Sequence, residues 1–196
     1  FDWNHKGKWD AAIISPEGGL PRALTNSDYT ESSTTWSRDG RHLYISSNRS
    51  GQVELWRQPL DGKPAEQMTF HGAWFGFETA DGKSLVFSRH QHEGGPVLIK
   101  ELGTDTETRL LESVMPLCFF VTARGIYHFV PNPDRSRRDT LKYYDFRTKK
   151  LTTIFASPVP ISASLTVSPD ERTILFAQRD QISSDIMRLE NFRLAC

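Results

Sequence analysis

The stretch Trp36-Ser37-Arg38-Asp39-Gly40-Arg41-His42-Leu43-Tyr44-Ile45-Ser46-Ser47-Asn48-Arg49-Ser50-Gly51-Gln52-Val53-Glu54-Leu55-Trp56-Arg57-Gln58-Pro59-Leu60-Asp61-Gly62, closing through Ala65-Glu66-Gln67-Met68-Thr69, decides the fold. Asp39-Gly40, Ser50-Gly51 and Asp61-Gly62 each set a residue tolerant of positive φ, or one able to bond its own backbone, between runs rich in β-branched and aromatic residues. Three such turns in about thirty residues leave room for four short antiparallel strands and nothing else.

The unit recurs. A second copy carries Asp81-Gly82, Ser84 to Ser88, a His90 to Pro96 hairpin, Val97 to Leu102 and Glu107 to Leu111. A third has Arg124-Gly125, Ile126 to Val130, the loop Pro131 to Asp139, Thr140 to Phe146 and Lys150 to Phe155. The last has Ser168-Pro169-Asp170-Glu171, Thr173 to Gln178 and Asp185 to Leu189. Steps of about 42, 43 and 46 residues separate Asp39, Asp81, Arg124 and Asp170, the period of four-stranded propeller blades. No window carries apolar residues at i, i+3, i+4 and i+7 over three turns, and 13 glycines with 11 prolines punctuate the 196 residues too often for long helices. The expectation is an all-β chain: a β-propeller of four-stranded antiparallel blades, about four to five of them, with units at roughly 1–27, 34–70, 75–112, 117–156 and 163–193. Aligning Asn4 to Asp10 with Asn48 to Glu54 puts Phe1 to Trp3 in the second strand of a blade without its first, and the last copy lacks its fourth. The propeller is therefore expected to be incomplete at both ends, a piece of something longer, with two copies associating through the unfinished blades as one way to cover the exposed edges.

Composition narrows the function. Hydrophobic residues make up 37% and aromatics 11%, enough for a core. The longest apolar stretch, Val114 to Val121, is interrupted by Pro116 and far short of the roughly 20 residues that cross a bilayer. Lys plus Arg and Asp plus Glu stand at 24 each, so no net field draws this part to nucleic acid. Cys118 and Cys196 form neither a metal spacing nor a disulfide framework.

The pattern Trp-Ser-x-Asp-Gly-x-x-Leu-Tyr-x-Ser-Ser-Asn-Arg-Ser-Gly, followed by an acidic residue and an aliphatic-aromatic strand, resembles the TolB-like propeller repeat. Trp36 to Leu60 matches almost position for position, Thr166 to Glu190 also matches, and Asp10 to Thr25 matches the second half of a unit; Ala80-Asp81-Gly82 and Arg124-Gly125 are degenerate. The ending Ser184 to Arg193 is similar to the ends of acidobacterial CadC-type winged-helix regulators, in which a transmembrane helix joins the output domain to a propeller. The resemblance implies a binding or sensor part of a larger bacterial regulator, placed in the periplasm or otherwise outside the cytoplasm, with a cytoplasmic placement as the alternative. Propellers of this type also cap prolyl oligopeptidase-like serine peptidases or hold a lyase site in their channel, the alternative function.

Most recurring residues read as structural. Asp39, Asp81 and Asp170 are expected to take backbone N–H groups of tight turns in which Gly40 and Gly82 supply the left-handed conformation. Asp10, Glu54 and Asp185, in register before the third strands, are expected to bond a hairpin backbone. Trp36, Phe77, Phe119 and Leu165 near the starts of first strands, with Tyr44, Phe87, Phe129 and Phe176 in second strands, are core candidates.

Blade topology brings the second-to-third hairpins and the links between blades to one mouth of the channel, where a protein or small-molecule ligand would dock. Glu31, Trp74, His90, His92 and Arg135 are the candidate binding residues there. His90-Gln91-His92-Glu93 alternates as a metal-binding strand does, but two ligands do not make a site, and no metal or other cofactor is expected. With no Gly-x-Ser-x-Gly elbow and no phosphate-binding Gly-x-x-x-x-Gly-Lys loop, the chain reads as non-enzymatic.

Overall fold

The computed structural model describes residues 1–5, 7–89, 94–130, 139–180 and 183–190. They form five small antiparallel sheets, and no helix occurs among them. The first sheet holds β1 (Asp2–His5), β2 (Lys8–Ile13) and β3 (Arg22–Ala23). The second holds β4 (Glu31–Trp36), β5 (His42–Ser47), β6 (Glu54–Pro59) and β7 (Glu66–Gln67), and the third β8 (Phe75–Glu78), β9 (Ser84–Ser88), β10 (Gly95–Glu101) and β11 (Glu107–Val114). The fourth comprises β12 (Phe119–Val121), β13 (Gly125–Val130), β14 (Thr140–Asp145) and β15 (Leu151–Ala156); the fifth β16 (Ile161–Val167), β17 (Thr173–Asp180) and β18 (Ser183–Glu190). In every sheet the strands lie in chain order, the meander of a β-propeller blade. The three middle sheets have four strands, and the first and last have three among the described residues. The expected fold class, an all-β propeller of small antiparallel sheets, is the one observed.

Turn chemistry explains why the first two strands of a sheet meet as they do. Asp39 accepts the Arg41 N–H at 2.9 Å and the Ser37 hydroxyl at 2.7 Å, while Gly40, at φ 67°, donates its N–H to the Ser37 carbonyl. Asp81 with Thr79, Lys83 and Gly82, and Asp170 with Ser168, Arg172 and Glu171, repeat the arrangement atom for atom. These donors hold the carboxyls of Asp39, Asp81 and Asp170 below the usual range. In the fourth sheet Thr122 takes over, its hydroxyl accepting the N–H groups of Arg124 and Gly125 at 3.3 Å. A side chain at Gly125 would collide with the Tyr144 carbonyl, 2.1 Å from where its Cβ would sit.

The chain divides into two compact units, Phe1–Arg89 with Leu98–Thr108, and His90–Val97 with Arg109–Cys196. In the first, Leu43 and Ile45 pack with Ala11, and Tyr44, Leu55, Met68, Ala73, Leu85, Phe87 and Leu98 form a second cluster. In the second, Cys118, Tyr127, Phe129, Leu141, Tyr143, Ile161, Leu165, Val167, Ile174 and Phe176 pack together, with Phe129 and Phe176 edge to face at 5.4 Å. No sheet face this small hides its own apolar side; burial comes from stacking.

Two core expectations differ. Phe77 is only half-buried, and Trp36 is 53% exposed. Burial alternates along β4, with Glu31, Ser33 and Thr35 inward and Trp36 on the other side, and Thr35 gives its hydroxyl to the Gly76 carbonyl at 2.6 Å; the register against β5 shifts between Ser32 and Thr35, where Ser33 is left-handed at φ 55°.

Candidate functional site

In the first unit the second-to-third hairpins and the links that follow the fourth strands are bonded to one another. Lys8 of the β1–β2 hairpin pairs with Asp28 of the β3–β4 link. Thr30 donates its N–H to the Asn48 side-chain oxygen at 3.0 Å, and Arg49 pairs with Glu31. Further along, Gln52 donates to the Phe70 carbonyl at 3.2 Å, Ala73 donates its N–H to the Val53 carbonyl at 3.0 Å, and Arg89 donates to the His71 carbonyl at 2.6 Å. These bonds tie the described hairpins and links of this end to one another.

Glu31, opposite Ser47 at the start of β4, has no exposed surface. One carboxylate oxygen holds Arg49, whose guanidinium lies 4.7 Å over the Trp56 ring and donates Nε–H to the Ser47 hydroxyl; the other oxygen is buried with no partner among the described residues. Glu31 is thus a support for Arg49 rather than a group a ligand meets directly. Trp74 is half-buried, its backbone N–H on the Ser88 carbonyl and its carbonyl accepting the Ser46 hydroxyl, with a buried indole N–H that has no partner among the described residues. His90, His92 and Arg135 lie outside the described residues, as does the Asp185 side chain.

Of the acidic residues expected to bond a hairpin backbone, Asp10 and Glu54 are described, and their carboxylates reach the end of the fourth strand instead. Asp10 accepts the Thr25 hydroxyl at 3.2 Å, and that hydroxyl accepts the Ala11 N–H at 3.0 Å. Glu54 does the same with Thr69 and Leu55, at 2.5 and 2.9 Å, and also takes the Gly72 N–H at 2.8 Å. They clamp the end of the fourth strand and, for Glu54, the outgoing link. Sequence reading missed a cavity beside Asp10: about 520 Å³, lined by Trp3, Lys8, Asp10, Ala23, Leu24, Thr25 and Asn26.

Among the described residues no three of His, Cys, Asp and Glu come together as metal ligands. Burial pushes the Cys118 thiol up to about 12, far from a thiolate nucleophile at neutral pH, and its Sγ sits 3.1 Å from the Ser162 carbonyl. Among the described residues no helix is long and apolar enough to cross a membrane.

No protein-family model matches the chain. It is 33% identical over 81 residues to an uncharacterised protein of Agrobacterium fabrum, covering 40% of this chain and 28% of that one. It is 36% identical over 84 residues to the Tol-Pal system protein TolB of Anaeromyxobacter sp., covering 42% and 19%. Among solved structures it is similar to TolB from Acinetobacter baumannii, with a TM-score of 0.76 and 19% identity over 93% of this chain and 46% of that chain. An oligogalacturonate lyase in complex with manganese shares the architecture, with a TM-score of 0.65 and 17% identity over 94% and 58%. The chain spans less than a third of these curated relatives. Its fold is that of the TolB-like β-propellers, an architecture that hosts enzymes as well as binding proteins.

Proposed function

We propose that this chain is a non-enzymatic binding scaffold, the ligand- or protein-binding propeller of a larger bacterial regulator, working outside the cytoplasm. The observation that carries the reading is the bonded loop end of the first unit, where Arg49 is held by the buried Glu31 carboxylate and where, in the first sheet, a cavity opens beside Asp10. Loops held on packed sheets in this way suit recognition of a ligand or partner. The placement follows the resemblance to periplasmic propellers, and the regulator role follows the ending at Ser184 to Arg193.

Purified protein incubated with oligogalacturonate and with prolyl peptides, with and without manganese, is expected to turn over neither. Sustained turnover proportional to protein concentration would replace this reading with the lyase or peptidase one. We propose further that two copies associate through the terminal sheets. Leu55, opposite Ser46 in the second sheet, is fully buried, whereas Ile186, opposite Ala177 in the fifth, is 81% exposed. Light scattering over a concentration series is expected to show a dimer that Ile186→Lys dissociates; a monomer at every concentration removes this part.

A further inference from the structure

Asp10 and Glu54 occupy the same place in successive sheets, and what differs between them points to a ligand. Both carboxylates accept a threonine hydroxyl that in turn accepts the next backbone N–H. Glu54 is then completed by two more donors, the Gly72 N–H and the Gln52 side-chain amide. In the first sheet the residues at those two places are Asp28 and Lys8, and they pair with each other instead. The second Asp10 oxygen accepts no hydrogen bond from the described residues, although Asp10 is only 6% exposed, and it borders the cavity that Trp3, Leu24 and Asn26 also line.

A carboxylate oxygen that opens onto a cavity with no donor from the described residues invites a charged one. The Lys8 ammonium is already neutralised by Asp28. An indole wall is the aromatic surface that best attracts a cation, and a volume of about 520 Å³ suits a small molecule. Resting on the binding-scaffold reading, we infer that this cavity binds a small organic ammonium, which donates an N–H to the second Asp10 oxygen while its carbon chain and charge lie against Trp3.

The test uses the full chain, ¹⁵N-labelled, with n-butylammonium chloride, 1-butanol and sodium butyrate as probes. The Trp3 indole signal, identified by its loss in Trp3→Phe, is expected to shift saturably with the amine, at least about tenfold more weakly with the alcohol, and not with butyrate. Asp10→Asn, which keeps an acceptor for Thr25, is expected to weaken amine binding by about tenfold or more. Equal affinity for the alcohol and the amine overturns the inference. So does an unmoved Trp3 signal at about 50 mM amine. Should Asp10→Asn unfold, the three probes on the unaltered protein decide the matter. Failure here leaves the scaffold reading intact, whereas turnover of a polysaccharide or peptide substrate would sink that reading without touching the amine site.

Discussion

The second and fourth sheets put the same tyrosine to the same use and differ in the residue that follows it. In the second, Leu43-Tyr44-Ile45 is fully buried, and the Tyr44 hydroxyl donates to Glu78 at 2.9 Å. In the fourth, Ile126-Tyr127-His128 is equally buried, and the Tyr127 hydroxyl donates to Glu171 at 3.1 Å. Burial first, and the neighbouring carboxylate second, raise both phenols well above their ordinary range, so each is a permanent donor. The latch is shared, but its acceptor is built from different parts. Glu78 is an interior strand residue that also takes the Arg38 N–H at 2.6 Å, whereas Glu171 sits on a turn in the left-handed conformation, φ 54°, where the equivalent turns have glycine. A blade interface can therefore keep one polar contact while its supports drift.

The sharpest way to break the comparison is Glu78→Ala. It removes the acceptor of the fully buried Tyr44 hydroxyl and of the Arg38 N–H, a loss of about 2–4 kcal/mol in urea unfolding. Adding Tyr44→Phe to Glu78→Ala should return part of that loss, because the orphaned hydroxyl goes too. A Glu78→Ala cost below about 1 kcal/mol would mean the carboxylate is no keystone.

His128 tests the neighbouring position. Ile45 is apolar, but His128, 2% exposed and flanked on its sheet by Phe119 and Lys142, has two ring nitrogens with no partner among the described residues. Burial, then the Lys142 charge, pull its pKa from 6.5 to about 4. The unfolded chain therefore takes up the proton first, and stability fully present above about pH 6.5 is lost as pH falls toward 4, amounting to about 3 kcal/mol at the acid end. Unfolding at a series of pH values should show a steeper slope between about pH 6.5 and 4 in the natural protein than in His128→Ile. Parallel slopes in the two would show that His128 is not desolvated.

What was legible in the sequence follows the range of the interaction. Asp39-Gly40, Asp81-Gly82 and Ser168-Pro169-Asp170 announce their turns because every bond in them closes within five residues. Alternation along β5 places Tyr44 correctly because that strand is regular. It misplaces Trp36 because the buried places of β4 are taken by Glu31, Ser33 and Thr35, polar residues that do not mark the inward face, while Trp36 falls on the other side. The Asp10 cavity depends on Lys8 choosing Asp28 across 20 residues, and the Tyr127 latch spans 44; neither leaves a local pattern to read.

Glu171 yields the smallest expected effect and separates two roles of one residue. Its side chain ties Tyr127 and, through both nitrogens of a fork, Arg124 at 3.0 and 3.2 Å, yet its backbone holds a conformation that costs a side-chain-bearing residue about 1 kcal/mol or more. Glu171→Ala loses the latch and keeps the strain; Glu171→Gly loses the latch and releases it. The glycine variant should accordingly be the more stable of the two by about 1 kcal/mol in chemical denaturation, with both below the natural protein. Equal stability of the two variants would show that the turn is not strained. A glycine variant as stable as the natural protein would show that the strain and the latch cancel, so that the fourth-sheet tyrosine, unlike Tyr44, contributes specificity of packing without net stability.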